Sequence, residues 1–316
     1  MALAIVRFTQ QAQTCWGIQD QDQIRILDIN ADSTADLIQI GYAQLSALAE
    51  QSTITVNAQD VSLLSPITEQ AKVLCQGANY RQHMIDSGMD PDAKAFNMFF
   101  TKSAASIHTP TGQIVKPKHV QLLDYEIELA LVLGKNTHDA VQVTAENLHE
   151  YVAGICIAND VSARDVQIPQ MQFFKGKSYR TFCPLGPVLL LLDRDEMHYL
   201  HQLNLTLTVN NEVRQQDNTA NLVFKPAETL TEFSSVCNFA IGDVILTGTP
   251  SGCALGLPPA AVVRATGLLP EHLKWKLFLK SQAKRRQYLQ HGDVVESHIK
   301  STDGKIDLGR QHHVVS

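Results

Sequence analysis

The most telling residues are acidic ones at strand spacing. The run DYEIELALVLG at 124–134 sets Glu126 and Glu128 two positions apart. In a strand, Glu126, Glu128, Ala130 and Val132 share one face, and Tyr125, Ile127, Leu129, Leu131 and Leu133 share the other. The two Cα atoms would then stand roughly 6–7 Å apart. Like charges on a largely apolar strand repel and lose hydration unless a cation neutralises them. An all-carboxylate set favours Mg²⁺, Mn²⁺ or Ca²⁺ over zinc. The bland alternative is an edge strand with both glutamates in water.

A third carboxylate follows. A strand predicted over 151–158 ends at Asn159 and Asp160, and a polar loop with Ser162, Arg164, Asp165 and Gln167 comes next. A strand-end carboxylate opening into such a loop suits a third ligand. Asp160 could instead cap a helix, which would leave Arg164 and Gln167 unexplained. In FFKGKSYRTFCPLGP at 173–187, a phosphate loop is excluded because Met171 stands where its first glycine belongs. Lys177 is then either a stabiliser of a developing oxyanion or a surface lysine in a loop. A helical turn over 80–86 would bring His83 and Asp86 together at i, i+3. A carboxylate-oriented histidine activates water near neutral pH; chance spacing on a solvated helix is the alternative.

Other chemistries drop out. His149-Glu150 begins a zinc-protease motif, but Ala153 holds its last position. The serine of TGTPSG at 247–252 falls one place late for a nucleophile elbow. No dinucleotide-binding glycine fingerprint appears. The six cysteines are scattered without C-x-x-C spacing, so the chain reads as reduced and cytoplasmic.

The elements that must carry these residues are mostly short strands. With 316 residues, 44 % of them hydrophobic and 18 % charged, the chain can bury a large core without disulfides. A net charge of −6 argues against nucleic acid as partner. No signal peptide and no apolar run of membrane-spanning length are present, so a soluble protein is expected. Residues 1–65 read as a small β-rich domain, with strands near 5–8, 15–18 and 23–28 and one helix over 35–51. Residues 66–316 alternate short β runs with loops, giving a β-rich α+β class. Residues 271–290 form a basic segment with Trp275, Phe278 and Leu279 on one helical face. It faces either a partner or a membrane, or else packs on its own domain or a subunit partner with a solvated basic face.

Taken in order, GANYRQH at 77–83, DYEIEL at 124–129, NDVSARDVQ at 159–167, GKS at 176–178 and TGTPSG at 247–252 resemble the fumarylacetoacetate hydrolase family. GDVVES at 292–297 is similar to its closing strand, and residues 1–60 to the small N-terminal domain of many bacterial members. The resemblance implies a mixed β-sandwich roll, a homodimer, and a metal site of Glu126, Glu128 and Asp160 taking Mg²⁺, Mn²⁺ or Ca²⁺. It gives Arg164, Gln167 and Lys177 to substrate and oxyanion, Thr249 to the substrate carboxylate, and His83 with Asp86 to water activation. The implied reaction is hydrolysis of a C–C bond in a 2,4-dioxo acid of the acylpyruvate type, through a metal-bound enolate. An oxaloacetate-type decarboxylase or a hydroxymuconate-type isomerase would use the same site. Two departures stand out: Asp86 replaces the glutamate of hydrolytic relatives, and the connection from Leu255 to Gln290 is longer than usual.

Overall fold

The computed structural model describes residues 2–256 and 269–316; the part of the long connection spanning 257–268 lies outside them. One sheet of eleven strands dominates. Its order is Thr55–Asn57, Gln23–Ile26, Gln13–Asp20, Leu3–Gln10, Leu189–Leu191, Val152–Asn159, Ile127–Leu133, Val244–Leu246, Val73–Gly77 and Met98–Lys102, with Ser62–Leu64 also pairing to Leu3–Gln10. A second sheet runs Glu212–Asn218, Leu203–Val209, Val294–Ser301, Asp307–Val315, Thr111–Ile114. Both are open and mixed: Val244–Leu246 lies parallel to Val73–Gly77, and Asp307–Val315 parallel to Thr111–Ile114. The expected strand-rich α+β class is the one observed.

The strand Ile127–Leu133 shows how the sequence builds this architecture. It lies between Val152–Asn159 and Val244–Leu246, so both of its edges are paired. Ile127, Leu129, Leu131 and Leu133 enter a core shared with Leu205, Leu207, Val295 and Ile299 of the second sheet. Ala130 and Val132 enter another, closed by Leu37, Leu45 and Ala49 from the N-terminal helices. The alternation expected from the sequence is present, but the strand is central, which removes the solvated-edge reading of Glu126 and Glu128.

Residues 1–65 extend the same sheet. Leu3–Gln10 pairs with Leu189–Leu191, Leu3 facing Leu191 and Ile5 facing Leu189. The single helix expected over 35–51 is two, Thr34–Ile40 and Tyr42–Gln51. Gly41, at φ 88°, breaks the helical path between them. Among the described residues no helix is long and apolar enough to cross a membrane, and all six cysteines are free.

Candidate active site

Glu126 immediately precedes the central strand and Glu128 is its second residue. Asp160 follows directly on the neighbouring strand Val152–Asn159, and its N–H donates to the Glu126 carbonyl at 2.8 Å. This pairing carries all three carboxylates into one place. A ligand oxygen from each lies within 4.8 Å of the others, and Glu126, Glu128 and Asp160 are only 6 %, 2 % and 0 % exposed. Asp160 caps no helix. The following turn, Arg164–Gln167, has Ala163 at its N-cap, and the Asp160 carboxylate accepts from Lys102 and, at 2.7 Å, from Lys177 Nζ.

Lys177 closes the short helix Phe173–Lys177 and is buried, which removes its reading as a surface loop residue. Its ammonium donates to Glu126 Oε2 at 2.8 Å, Asp160 Oδ2 at 2.7 Å and Ser162 Oγ at 2.8 Å. Gly176 makes the placement possible, since a Cβ there would come within 2.7 Å of Gln167 Cβ. Arg164 is buried too, with Nε on Asp124 at 2.8 Å, Nη1 on Gln167 Oε1 at 2.8 Å and Nη2 on Glu126.

The charges do not balance. Asp124, Glu126, Glu128 and Asp160 are four buried carboxylates, while Lys102, Arg164 and Lys177 are three buried cations. Glu128 is the one left over: among the described residues no cation pairs with it, and it accepts the Gly248 N–H at 2.6 Å. Burial, with Asp160 and Glu126 alongside, pushes its carboxyl well above the usual range. Glu126 behaves oppositely; against burial, Arg164 and Lys177 hold its carboxyl low. Asp160 and Glu126 likewise hold the buried Lys177 ammonium in its charged form. Surplus buried negative charge among oxygen donors fits a divalent, oxygen-preferring cation, which Glu126, Glu128 and Asp160 could hold.

Glu126, Glu128, Arg164 and Lys177 line a cleft of about 640 Å³ with His83, Asp86, Gln167, Thr249, Cys253 and Arg285. The helix Arg81–Asp86 forms where the turn was expected, and His83 is half-buried on it. Burial lowers the His83 pKa from its ordinary 6.5, although Glu126 pulls the other way. The expected His83–Asp86 hydrogen bond is not made. Asp86 lies at the exposed end of the helix and accepts from Gln82 Nε2 at 2.8 Å and from Ser251 Oγ. Thr249 lines the cleft, but its hydroxyl donates to the Ile127 carbonyl at 2.9 Å and accepts from Gln215 Nε2 at 2.9 Å.

Three residues of this cluster escaped the sequence reading. Asp124 shares strand parity with Glu126 and Glu128, so the alternation itself could have found it. It accepts N–H groups of Ala254 at 2.7 Å and Leu255 at 2.9 Å besides Arg164. Lys102, at the end of Met98–Lys102, carries no local signal; it meets Asp160 only through the fold. Arg285 belongs to the basic segment. There the helix is Glu271–Gln282, shorter than the 271–290 expected, and Phe278 and Leu279 pack on the main core.

Solved structures define the class first. The fold matches a probable 2-hydroxyhepta-2,4-diene-1,7-dioate isomerase from Mycobacterium abscessus, with TM-score 0.74, 30 % identity, and coverage of 100 % of this chain and 98 % of the other. It also matches a fumarylacetoacetate hydrolase from Exiguobacterium antarcticum, with TM-score 0.73, 28 % identity and coverage of 99 % of each. The family described as fumarylacetoacetate (FAA) hydrolase, C-terminal, matches residues 72–316, and the chain belongs to it. Similar curated relatives include oxaloacetate tautomerase YisK of Bacillus subtilis, 36 % identical over 220 residues, covering 68 % of this chain and 71 % of the relative. Human mitochondrial oxaloacetate tautomerase FAHD2A is 37 % identical over 230 residues, 71 % of each.

Proposed function

We propose that this protein interconverts the keto and enol forms of a 2-oxo acid, with oxaloacetate as the leading substrate. The observation that carries the reading is the buried carboxylate trio, whose Glu126 and Glu128 line a cleft together with Lys177 and His83. The names of the relatives at 36 % and 37 % identity support oxaloacetate. A divalent ion held by Glu126, Glu128 and Asp160 would supply Lewis-acid polarisation of the oxo group, which acidifies the adjacent C–H.

The chain's own residues do the rest. Lys177 keeps a fixed positive charge in the dry end of the cleft, where it favours negative charge developing on the substrate oxygen. Its three acceptors hold the Nζ atom in place, so little reorganisation accompanies the reaction. Arg164, locked on Asp124 and Glu126, orients Gln167 toward the bound acid. His83, uncharged near neutral pH, takes the proton from the carbon next to the oxo group at a ring nitrogen. It returns that proton to the oxygen, which completes the enol. Every residue in this scheme lies in 66–316, which we assign as the catalytic domain beside a structural 1–65.

The test follows the ultraviolet absorbance of enol oxaloacetate as it relaxes to equilibrium. Catalysis with Mg²⁺ and its loss with excess chelator are expected; relaxation no faster than in Mg²⁺ buffer alone would reject the reading. C–C hydrolysis of an acylpyruvate is the second reading, favoured by Asp86 lining the cleft one helical turn from His83. It requires pyruvate release, which a lactate dehydrogenase-coupled assay detects.

A further inference from the structure

Among the described residues, the cleft holds one cation that the scheme above leaves idle. Arg164 and Lys177 are both paired to buried carboxylates. Arg285 also lines the cleft, yet among the described residues no carboxylate pairs with it, and residues 257–268 contain neither Asp nor Glu. Its position is fixed rather than incidental. Nε donates to the Ala254 carbonyl at 2.7 Å, and the guanidinium lies over Gly256, whose missing side chain leaves it that space. Gln282 clamps the same loop by donating to the Gly256 carbonyl at 2.7 Å, and Tyr288 in turn donates to Gln282 at 2.8 Å. On its other side the loop is anchored by Asp124, the partner of Arg164.

A half-buried guanidinium held by its Nε, with the fork unmatched by acid, is built to receive a carboxylate through two parallel N–H groups. We propose that Arg285 binds the distal carboxylate of the substrate and so makes the site selective for 2-oxo dicarboxylates over 2-oxo monocarboxylates. Arg285 is thus a specificity-determining residue supplied by the segment that departs from the family pattern. The inference rests on the proposed function only for the 2-oxo end of the ligand.

Oxaloacetate and 2-oxobutyrate differ by carboxylate against methyl at the far end, so their affinity ratio reports this contact alone. The measurement is calorimetric titration of the Mg²⁺-loaded full chain with each acid, using wild type, Arg285→Gln and Arg285→Lys. Wild type should bind oxaloacetate roughly 10- to 100-fold more tightly, the range for a charge-assisted hydrogen-bonded pair. Arg285→Gln should bring the ratio near one with 2-oxobutyrate affinity unchanged. Arg285→Lys should fall between, and it carries the test alone if the glutamine variant fails to fold by circular dichroism. An unchanged ratio, or equal weakening of both acids, overturns the inference. A ratio that collapses as expected in a protein without tautomerase turnover would keep Arg285 and reject the proposed function. Wild type binding neither acid rejects both.

Discussion

One wall of the cleft comes from adjacent strands, the other from a six-residue helix and a loop tied down by the segment after Pro270. On and behind the strand wall, Glu126, Asp160 and Lys102, with Arg164 and Lys177 from the two short helices beside it, satisfy one another at low exposure. On the helix wall, His83 is half-buried, Asp86 is exposed, and Arg285 is held through the Ala254 carbonyl rather than an acid among the described residues. The difference assigns the labour. Polar groups that compensate one another in a low dielectric cannot drift, so they suit the shared chemistry. Groups near the surface with spare donors suit recognition, and substitutions there disturb the core least.

Breaking the strand wall should therefore cost most. Lys177→Met should lower kcat for enol relaxation by roughly 10²–10³-fold, the scale for losing one preorganised charge contact; a loss under tenfold would move the oxyanion role elsewhere. Lys102→Met should destabilise the fold by roughly 3–5 kcal/mol, because Asp160 keeps a buried charge with one partner fewer. Urea denaturation checks this, and an unchanged midpoint would mean the pair is replaceable.

The helix wall should give smaller and more selective effects. His83→Ala should reduce kcat roughly 10²-fold while leaving the urea midpoint near that of wild type. The pH profile follows from the same residue. Burial lowers its pKa below 6.5, so the neutral base persists at and above that pH, and activity should fall only below it as His83 gains a proton. A loss of activity centred above pH 6.5 would contradict the assignment. Asp86→Asn should change kcat by less than about threefold, since Asp86 bonds Gln82 and Ser251 instead of His83. A loss as large as that of His83→Ala would restore the oriented pair, and with it the hydrolytic reading.

The two walls also differ in how far the sequence disclosed them. Period-two alternation located Glu126 and Glu128, and the polar strand end located Asp160, because strand geometry maps spacing directly onto faces. The same rule contained Asp124. Lys102 and Arg285 were hidden, since each joins the site through long-range contacts that no local spacing records. Lys102 arrives from the edge strand Met98–Lys102, and Arg285 from beyond the 257–268 stretch. On the helix wall, i, i+3 spacing placed His83 and Asp86 on one turn but not their hydrogen bonds. Ser251, 165 residues away, competes for the Asp86 carboxylate.

Glu128 is where the account is most exposed, because its buried carboxyl, with no cationic partner among the described residues, is the reason for placing a cation there. Calorimetric titration with Mn²⁺ should show one site per chain in wild type and its loss in Glu128→Gln, with the variant's urea midpoint at or above that of wild type. Equal Mn²⁺ binding by both proteins, or none by wild type, would contradict the metal-assisted enolisation proposed here.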